Sequence, residues 1–206
     1  ARIDFDRLSK VSRTATIGLN EALLEAIPTH PLTKQREVAS NYRQIGLGVM
    51  GLGSAFIKLG IEYGSPISVK CVGEIMETIR DNTIYQSTIL SSEKGSYPKY
   101  DYDKISKSSY FKSLPADLRV KIKRNGLYNS TFLSVAPAGT ISLLADVTNG
   151  LEPLFALSYD RTTKSLGATD RVYKVYPKEI GELMKHLGIS EEGDLPKYCI
   201  TAHQID

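Results

Sequence analysis

A chain of 206 residues, 41% apolar and carrying charge of both signs, is long enough to bury a sizeable core and too apolar to remain disordered. Its 26 basic and 23 acidic residues leave a net charge of +3, too balanced for a nucleic-acid surface, and no run approaches the ~20 apolar residues of a membrane-spanning helix. Two distant cysteines, Cys71 and Cys199, and three scattered histidines, His30, His186 and His203, argue against a disulfide framework and a structural zinc site, so a cytoplasmic protein without nucleic-acid or membrane partners is expected.

From Asp6 to Ile27 the apolar residues fall at helical spacing, and the two prolines of "PTHPLTKQREV" then predict a loop. Between Val38 and Leu59 the positions Ile45, Val49, Leu52, Phe56 and Leu59 advance by four, three, four and three, which predicts one helix running through the glycines of this stretch. Pro66 opens a long helix with Val69, Val72, Ile75, Met76 and Ile79 on one stripe, and Gly95 and Pro98 stop it. Cys71 falls on its apolar face as a buried, inert thiol. Residues 99–115, rich in Tyr, Ser, Lys and Asp, read as a solvent-facing excursion, and a short polar helix from Pro115 to Arg124 closes at Asn125-Gly126. A β-rich run, Thr131 to Val135, leads through a tight turn into an apolar helix start, Ile141 to Val147. "LFALSYDR" reads as extended, Pro177 opens a further helix and Gly188 ends it. Residues 1–98 thus form a helical part, 99–126 an excursion with a short helix, and 127–206 a strand, loop and helix part. That order suits a segment of a larger α/β architecture.

Two glycine motifs carry chemistry. Gly46-x-Gly48-x-x-Gly51 within "IGLGVMGLG" has the letters of a dinucleotide-binding turn, which would make this an NAD(P)-dependent oxidoreductase. Such a turn needs a buried strand before the first glycine and an acidic residue ending a second strand ~20 residues later. The preceding "REVASNYRQI" has no buried strand run, and Glu62 comes too early, before a turn. The other reading gives the glycines to close packing inside a helix, as in a non-catalytic helical interaction module, at about 1 kcal/mol each relative to Ala unless packing offsets it. In "APAGTIS", by contrast, Pro137, Ala138, Gly139, Thr140, Ile141 and Ser142 lie between a β-rich run and a helix start. The backbone N–H groups of Ala138, Gly139, Thr140 and Ile141, with the Thr140 and Ser142 hydroxyls, could face one anion. The stretch lacks the Gly-Lys-Ser/Thr ending of an ATP-hydrolysing loop, and a plain Pro-Gly turn capped by Thr140 reads the same letters.

"RQIGLGVMGLGSAFIKLGIEYGS", "SSEKGSYP", "RNGLYNSTFLSVAPAGTISLLADVTNGLEPLFALSYDR" and "ITAHQID" resemble, in order and rough spacing, the catalytic chain of ribonucleotide reductases. "FALSYDR" and "TAHQID" look most like the adenosylcobalamin-dependent class, with the class I large subunit sharing the skeleton. The resemblance implies an α/β fold, the second-half fragment of a ten-stranded barrel, with the glycine segment in a helix. It implies that Pro137, Ala138, Gly139, Thr140, Ile141 and Ser142 hold the phosphates of a ribonucleoside di- or triphosphate, and that Asn149 to Pro153 closes the same site, with Glu152 a candidate structural residue. The "N-x-C-x-E" pattern of the family's thiyl-radical cysteine does not occur here, since neither Cys71 nor Cys199 stands in it. The resemblance therefore implies a piece without catalytic residues or a cofactor motif of its own. The radical cysteine, the redox cysteines and adenosylcobalamin would belong with the remainder of the reductase chain, and the resemblance allows a homodimer of the complete enzyme.

Overall fold

A computed structural model describes residues 1–163 and 171–205, so Asp206, the last letter of "TAHQID", lies outside the described residues. The chain forms two compact units. One gathers Ala1–Arg2, Val49–Val72 and Val135–Asp206, the other Ile3–Gly48 and Gly73–Ser134.

The second of these units is helical. Helix α1, Phe5–Thr29, starts where the Asp4 carboxylate accepts the Arg7 N–H at 2.9 Å. Helix α2 is Thr33–Tyr42, and the long α4, Pro66–Lys94, belongs to this unit from Gly73 onward. Gly95, at φ +80°, ends α4 where the sequence predicts. Residues 99–115 are not the expected solvent-facing excursion. They form two short helices, α5 (Tyr102–Ile105) and α6 (Ser109–Ser113), capped by Asp101 and Ser108, and they bury Phe111 and Leu114 against Ile84, Leu118, Ile122, Leu127 and Phe132. Polar composition misleads here because two apolar side chains suffice to pin a segment whose remaining residues serve as caps. Helix α7, Ala116–Asn125, closes at Gly126, φ +75°.

Tyrosines edge this core. Tyr97 and Tyr100 meet edge to face with ring centroids 5.5 Å apart, and Tyr100 Oη donates to the Ile122 carbonyl at 3.2 Å. Burial, followed by the neighbouring Tyr97 and Tyr102, pushes the Tyr100 phenol up to about 12. An unfolded chain ionises this group near its ordinary value of 10, so its stabilising contribution is complete below pH 10 and disappears as pH rises toward 12. Alkaline titration should therefore show the tyrosinate absorbance that Tyr100→Phe lacks, taken as the difference between the two proteins, rising together with the loss of helical circular dichroism, and Tyr100→Phe should shift the loss of structure to higher pH. A difference absorbance that appears near pH 10 with the helices intact would count against a raised Tyr100.

The helix expected through Val38–Leu59 is broken. Helix α2 ends at Arg43, which takes φ +45°, the backbone then runs extended, and α3 begins only at Leu52, continuing to Leu59. In the extended stretch Leu47 bridges Leu133 in parallel, with Leu47 N–H donating to the Phe132 carbonyl at 2.9 Å and Ser134 N–H to the Leu47 carbonyl at 3.1 Å. A continuous helix would have held four glycines at about 1 kcal/mol each and forfeited these bonds. Among the described residues the β-rich run Thr131 to Val135 pairs at this bridge, with the Ile45 N–H donating to the Thr131 carbonyl at 3.3 Å beside it.

In the other unit, α3 and α9 (Lys178–Leu187) pack Ile57, Ile180 and Met184 with Leu154 and Cys199. Pro177 opens α9 and Gly188, at φ +68°, closes it, as expected. Helix α8 is Gly139–Ala145. The "LFALSYDR" stretch is extended in part: β1, Tyr159–Thr163, pairs antiparallel with β2, Arg171–Val175, in the register Tyr159↔Val175.

Candidate functional site

The first turn of α3 explains what the "IGLGVMGLG" glycines do. Gly51, at φ +81°, donates its N–H to the Thr148 carbonyl at 2.8 Å, Leu52 N–H reaches the Gly150 carbonyl at 3.3 Å, and Ser54 N–H reaches Thr148 Oγ1 at 3.4 Å. These are the amides a helix start offers to an anion, and the chain's own 148–150 turn takes them. A Cβ at Gly51 would lie 3.1 Å from Val147 Cβ, and one at Gly53 2.9 Å from the Glu152 carbonyl oxygen. In the helical unit, a Cβ at Gly46 would lie 2.8 Å from Ser134 Cβ and one at Gly48 3.0 Å from the Ser134 carbonyl oxygen. The space a pyrophosphate would need is filled by protein. Close packing was the right reading, but the helix it was assigned to is wrong: only Gly53 lies inside one.

The "APAGTIS" turn leads into α8, with Ala138 at its N-cap and no side chain capping it, so Thr140 is not the N-cap. Ala138 N–H donates to the Asn149 carbonyl at 3.0 Å, and Ile141 N–H returns to the Ala138 carbonyl at 2.9 Å. The buried Ser142 hydroxyl donates to the Gly139 carbonyl at 2.7 Å. Of the six donors expected to face an anion, three are thus engaged internally. Gly139 N–H, Thr140 N–H and the exposed Thr140 hydroxyl make no hydrogen bond among the described residues. Gly139 sits at φ +33°, with open space where a Cβ would stand. Pro137 and Ile141 are exposed beside them.

Thr148 to Pro153 lies against this turn through the Ala138–Asn149 bond. Its shape is held from several sides: Tyr63 Oη donates to the Leu151 carbonyl at 2.5 Å, and the Glu152 carboxylate lies over Gly150, whose absent Cβ would meet Glu152 Oε2 at 2.6 Å. Burial first, and the Glu152 charge second, raise the Tyr63 phenol above its ordinary value. Glu152 therefore acts on its own turn. Deeper, Ser54 Oγ accepts the Thr148 N–H at 2.9 Å and donates to Glu179 Oε1, with Ser54 and Glu179 both buried. Sequence reasoning did not single out either residue. The available signals were slight: a serine directly after Gly53 in the first turn of α3, and an acidic residue in the first turn of α9.

Residues 1–197 match the family described as "Ribonucleotide reductase, barrel domain". The chain belongs to this ribonucleotide reductase family. The chain is 30% identical over 221 aligned residues to a "Vitamin B12-dependent ribonucleoside-diphosphate reductase" of Thermoplasma acidophilum, covering all of this chain and 26% of that protein. A reductase of the same description from Mycobacterium tuberculosis is 32% identical over 160 residues, covering 78% of this chain and 20% of its own length. A "Ribonucleoside-diphosphate reductase large subunit" of Arabidopsis thaliana is 30% identical over 172 residues, 79% of this chain and 21% of that one. The chain thus spans about a quarter or less of the curated relatives it matches. As a ribonucleotide reductase barrel segment it is mostly helical, and its described residues contribute one two-stranded sheet and two isolated parallel bridges. Membership in this family leaves the nicotinamide and helical-module readings without support.

Neither cysteine of this reductase segment is a residue of the candidate turn. Cys71 lies within α4, half-buried rather than fully buried as expected, and Cys199 is buried in the α3–α9 core, where burial pushes its thiol above the ordinary range. No helix among the described residues is long and apolar enough to cross a membrane, and none of their His, Cys, Asp and Glu side chains gather as a metal-binding group of three or more.

Proposed function

We propose that this chain is part of a reductase that converts ribonucleoside di- or triphosphates to 2'-deoxyribonucleotides by thiyl-radical chemistry, and that its contribution is to hold the substrate's phosphates. Family membership over residues 1–197 supports the reaction. The observation that carries the site is the pair of unengaged amides at Gly139 and Thr140, beside the free Thr140 hydroxyl. Three donors at consecutive positions suit the oxygens of one phosphate group, and the missing Cβ at Gly139 lets the backbone approach closely. Pro137 sets the entry into the turn, Ala138 ties it to Asn149, and Ser142 holds it closed through the Gly139 carbonyl.

Adenosylcobalamin, which the B12-dependent relatives suggest for the complete enzyme, belongs in this reading with the remainder of the reductase chain, along with the radical cysteine. When bound, that cofactor supplies the radical. The residues here keep the nucleotide still while it acts.

Gly139→Val tests the loop. A β-branched residue at positive φ costs about 1–2 kcal/mol of backbone strain, yet nothing crowds its Cβ, so the chain should stay folded. Titration of the wild-type chain with inorganic pyrophosphate should shift the Gly139 and Thr140 amide resonances, and the variant should bind about tenfold or more weakly at unchanged helical content. Equal affinity in the variant would reduce "APAGTIS" to a turn.

A further inference from the structure

Beside the Gly51 and Leu52 amides, one buried polar chain ties the segments of the candidate site to the helices of the core. Glu179, in the first turn of α9, accepts from Ser54 Oγ. That hydroxyl has one proton, given to Glu179, and its lone pair receives the Thr148 N–H at 2.9 Å. The Ser54 N–H answers toward Thr148 Oγ1, and the Gly51 N–H takes the Thr148 carbonyl at 2.8 Å, so Thr148 is bound at its amide, its carbonyl and its hydroxyl. The next residue, Asn149, offers the carbonyl that holds Ala138 N–H, and Ala138 precedes the two free amides.

Burial makes this chain consequential. Ser54, Thr148 and Glu179 all lie in the interior, where a carboxylate without a partner is strongly disfavoured. Glu179 makes no salt bridge among the described residues, and Ser54 is its hydrogen-bond partner there. The hydroxyl is therefore held to one orientation, with its proton toward Glu179 and its lone pair toward Thr148. Water would have allowed several.

We propose that Ser54 and Glu179 are positioning residues that set the 148–150 turn, and through the Ala138–Asn149 bond the Gly139 and Thr140 amides, in the geometry that receives substrate phosphate. This rests on the phosphate-loop reading above. Neither residue touches substrate: Ser54 orients Thr148, and Glu179 orients Ser54.

The test uses the whole chain with inorganic pyrophosphate as probe, at a temperature where every variant is folded by circular dichroism. Ser54→Ala removes the link, and Glu179→Leu removes it from the other end should the first variant fail to fold. Each should weaken binding about five- to tenfold and move the Ala138 and Asn149 amide resonances. Glu179→Gln keeps an acceptor for the Ser54 hydroxyl and should restore near-native affinity. The double variant, Ser54→Ala with Glu179→Leu, should be no weaker than the worse single variant, because both act through one link. A merely structural pair would lower the melting temperature of all variants and leave the folded protein's affinity unchanged, which would overturn the relay alone. If the wild-type chain fails to bind pyrophosphate, the phosphate-loop reading falls, and the relay's role falls with it.

Discussion

Asn129→Ala should cost about 3 kcal/mol or more, read as a lower urea midpoint with an unchanged denaturant slope. The side chain is fully buried, and its carboxamide uses every site it has. Oδ1 accepts from Ser87 Oγ at 3.0 Å and from Asn20 Nδ2 at 3.3 Å, while Nδ2 donates to Asn20 Oδ1 at 2.7 Å and to the Arg43 carbonyl at 2.8 Å. Ser87 Oγ also receives the Tyr128 and Asn129 N–H groups, both at 3.1 Å, so the network ties α1, α4, the end of α2 and the 128–129 backbone together. Truncation strands Asn20 and Ser87 in the interior and frees the partly buried Arg43 carbonyl, at about 1–3 kcal/mol for each buried group left unpaired. Asn129→Asp separates hydrogen bonding from packing: it keeps the volume but turns an acceptor toward Asn20 Oδ1 and the Arg43 carbonyl, and should destabilise by a comparable amount. A loss below about 1 kcal/mol in both variants would mean that the network contributes nothing net.

Glycine to alanine should have opposite signs at two helical positions of this chain. Gly73, exposed within α4, has nothing within 4 Å of its missing Cβ, so Gly73→Ala should raise stability by about 0.5–1 kcal/mol through helix propensity alone. Gly53 is also helical, but its Cβ would stand 2.9 Å from the Glu152 carbonyl oxygen, 3.1 Å from Thr148 Cγ2 and 3.2 Å from Pro153 Cα. Two of those three neighbours are backbone and cannot rotate away. Overpacking of this kind costs about 1–3 kcal/mol, which exceeds the propensity gain. Gly53→Ala should therefore lower the urea midpoint and move the amide resonances of residues 148–153, and Gly53→Val should do both more strongly. A stabilised Gly53→Ala would show that the 148–153 segment is free to retreat.

Long periodic segments were legible from sequence. The stripe from Val69 to Ile79 and the stops at Gly95, Asn125-Gly126 and Gly188 correspond to the observed helices, since each rests on local chemistry: a proline at entry or a glycine with positive φ at exit. The residues from Val38 to Leu59 were misread because apolar positions spaced by three and four also arise where a helix end, an extended bridge and a new helix follow one another. Phe111 and Leu114 were missed for the opposite reason, being two core residues in a polar neighbourhood. At the candidate site the loop itself could be read from "APAGTIS", whereas its spent donors could not. The bonds from Ala138 to Asn149 and from Ser142 to Gly139 are set by the folded backbone. Ser54 and Glu179 stand 125 positions apart, and no local pattern joins them.

Gly46, Gly48, Gly51 and Gly53 each leave room for a part of the same chain. In a saturation library selected only for folding, these positions should return glycine far above chance with no nucleotide present. The survivors would spell Gly-x-Gly-x-x-Gly. Selection for self-contact can therefore write a ligand-binding signature into a protein that binds nothing there, and the two causes separate once each missing Cβ is asked what it would have touched.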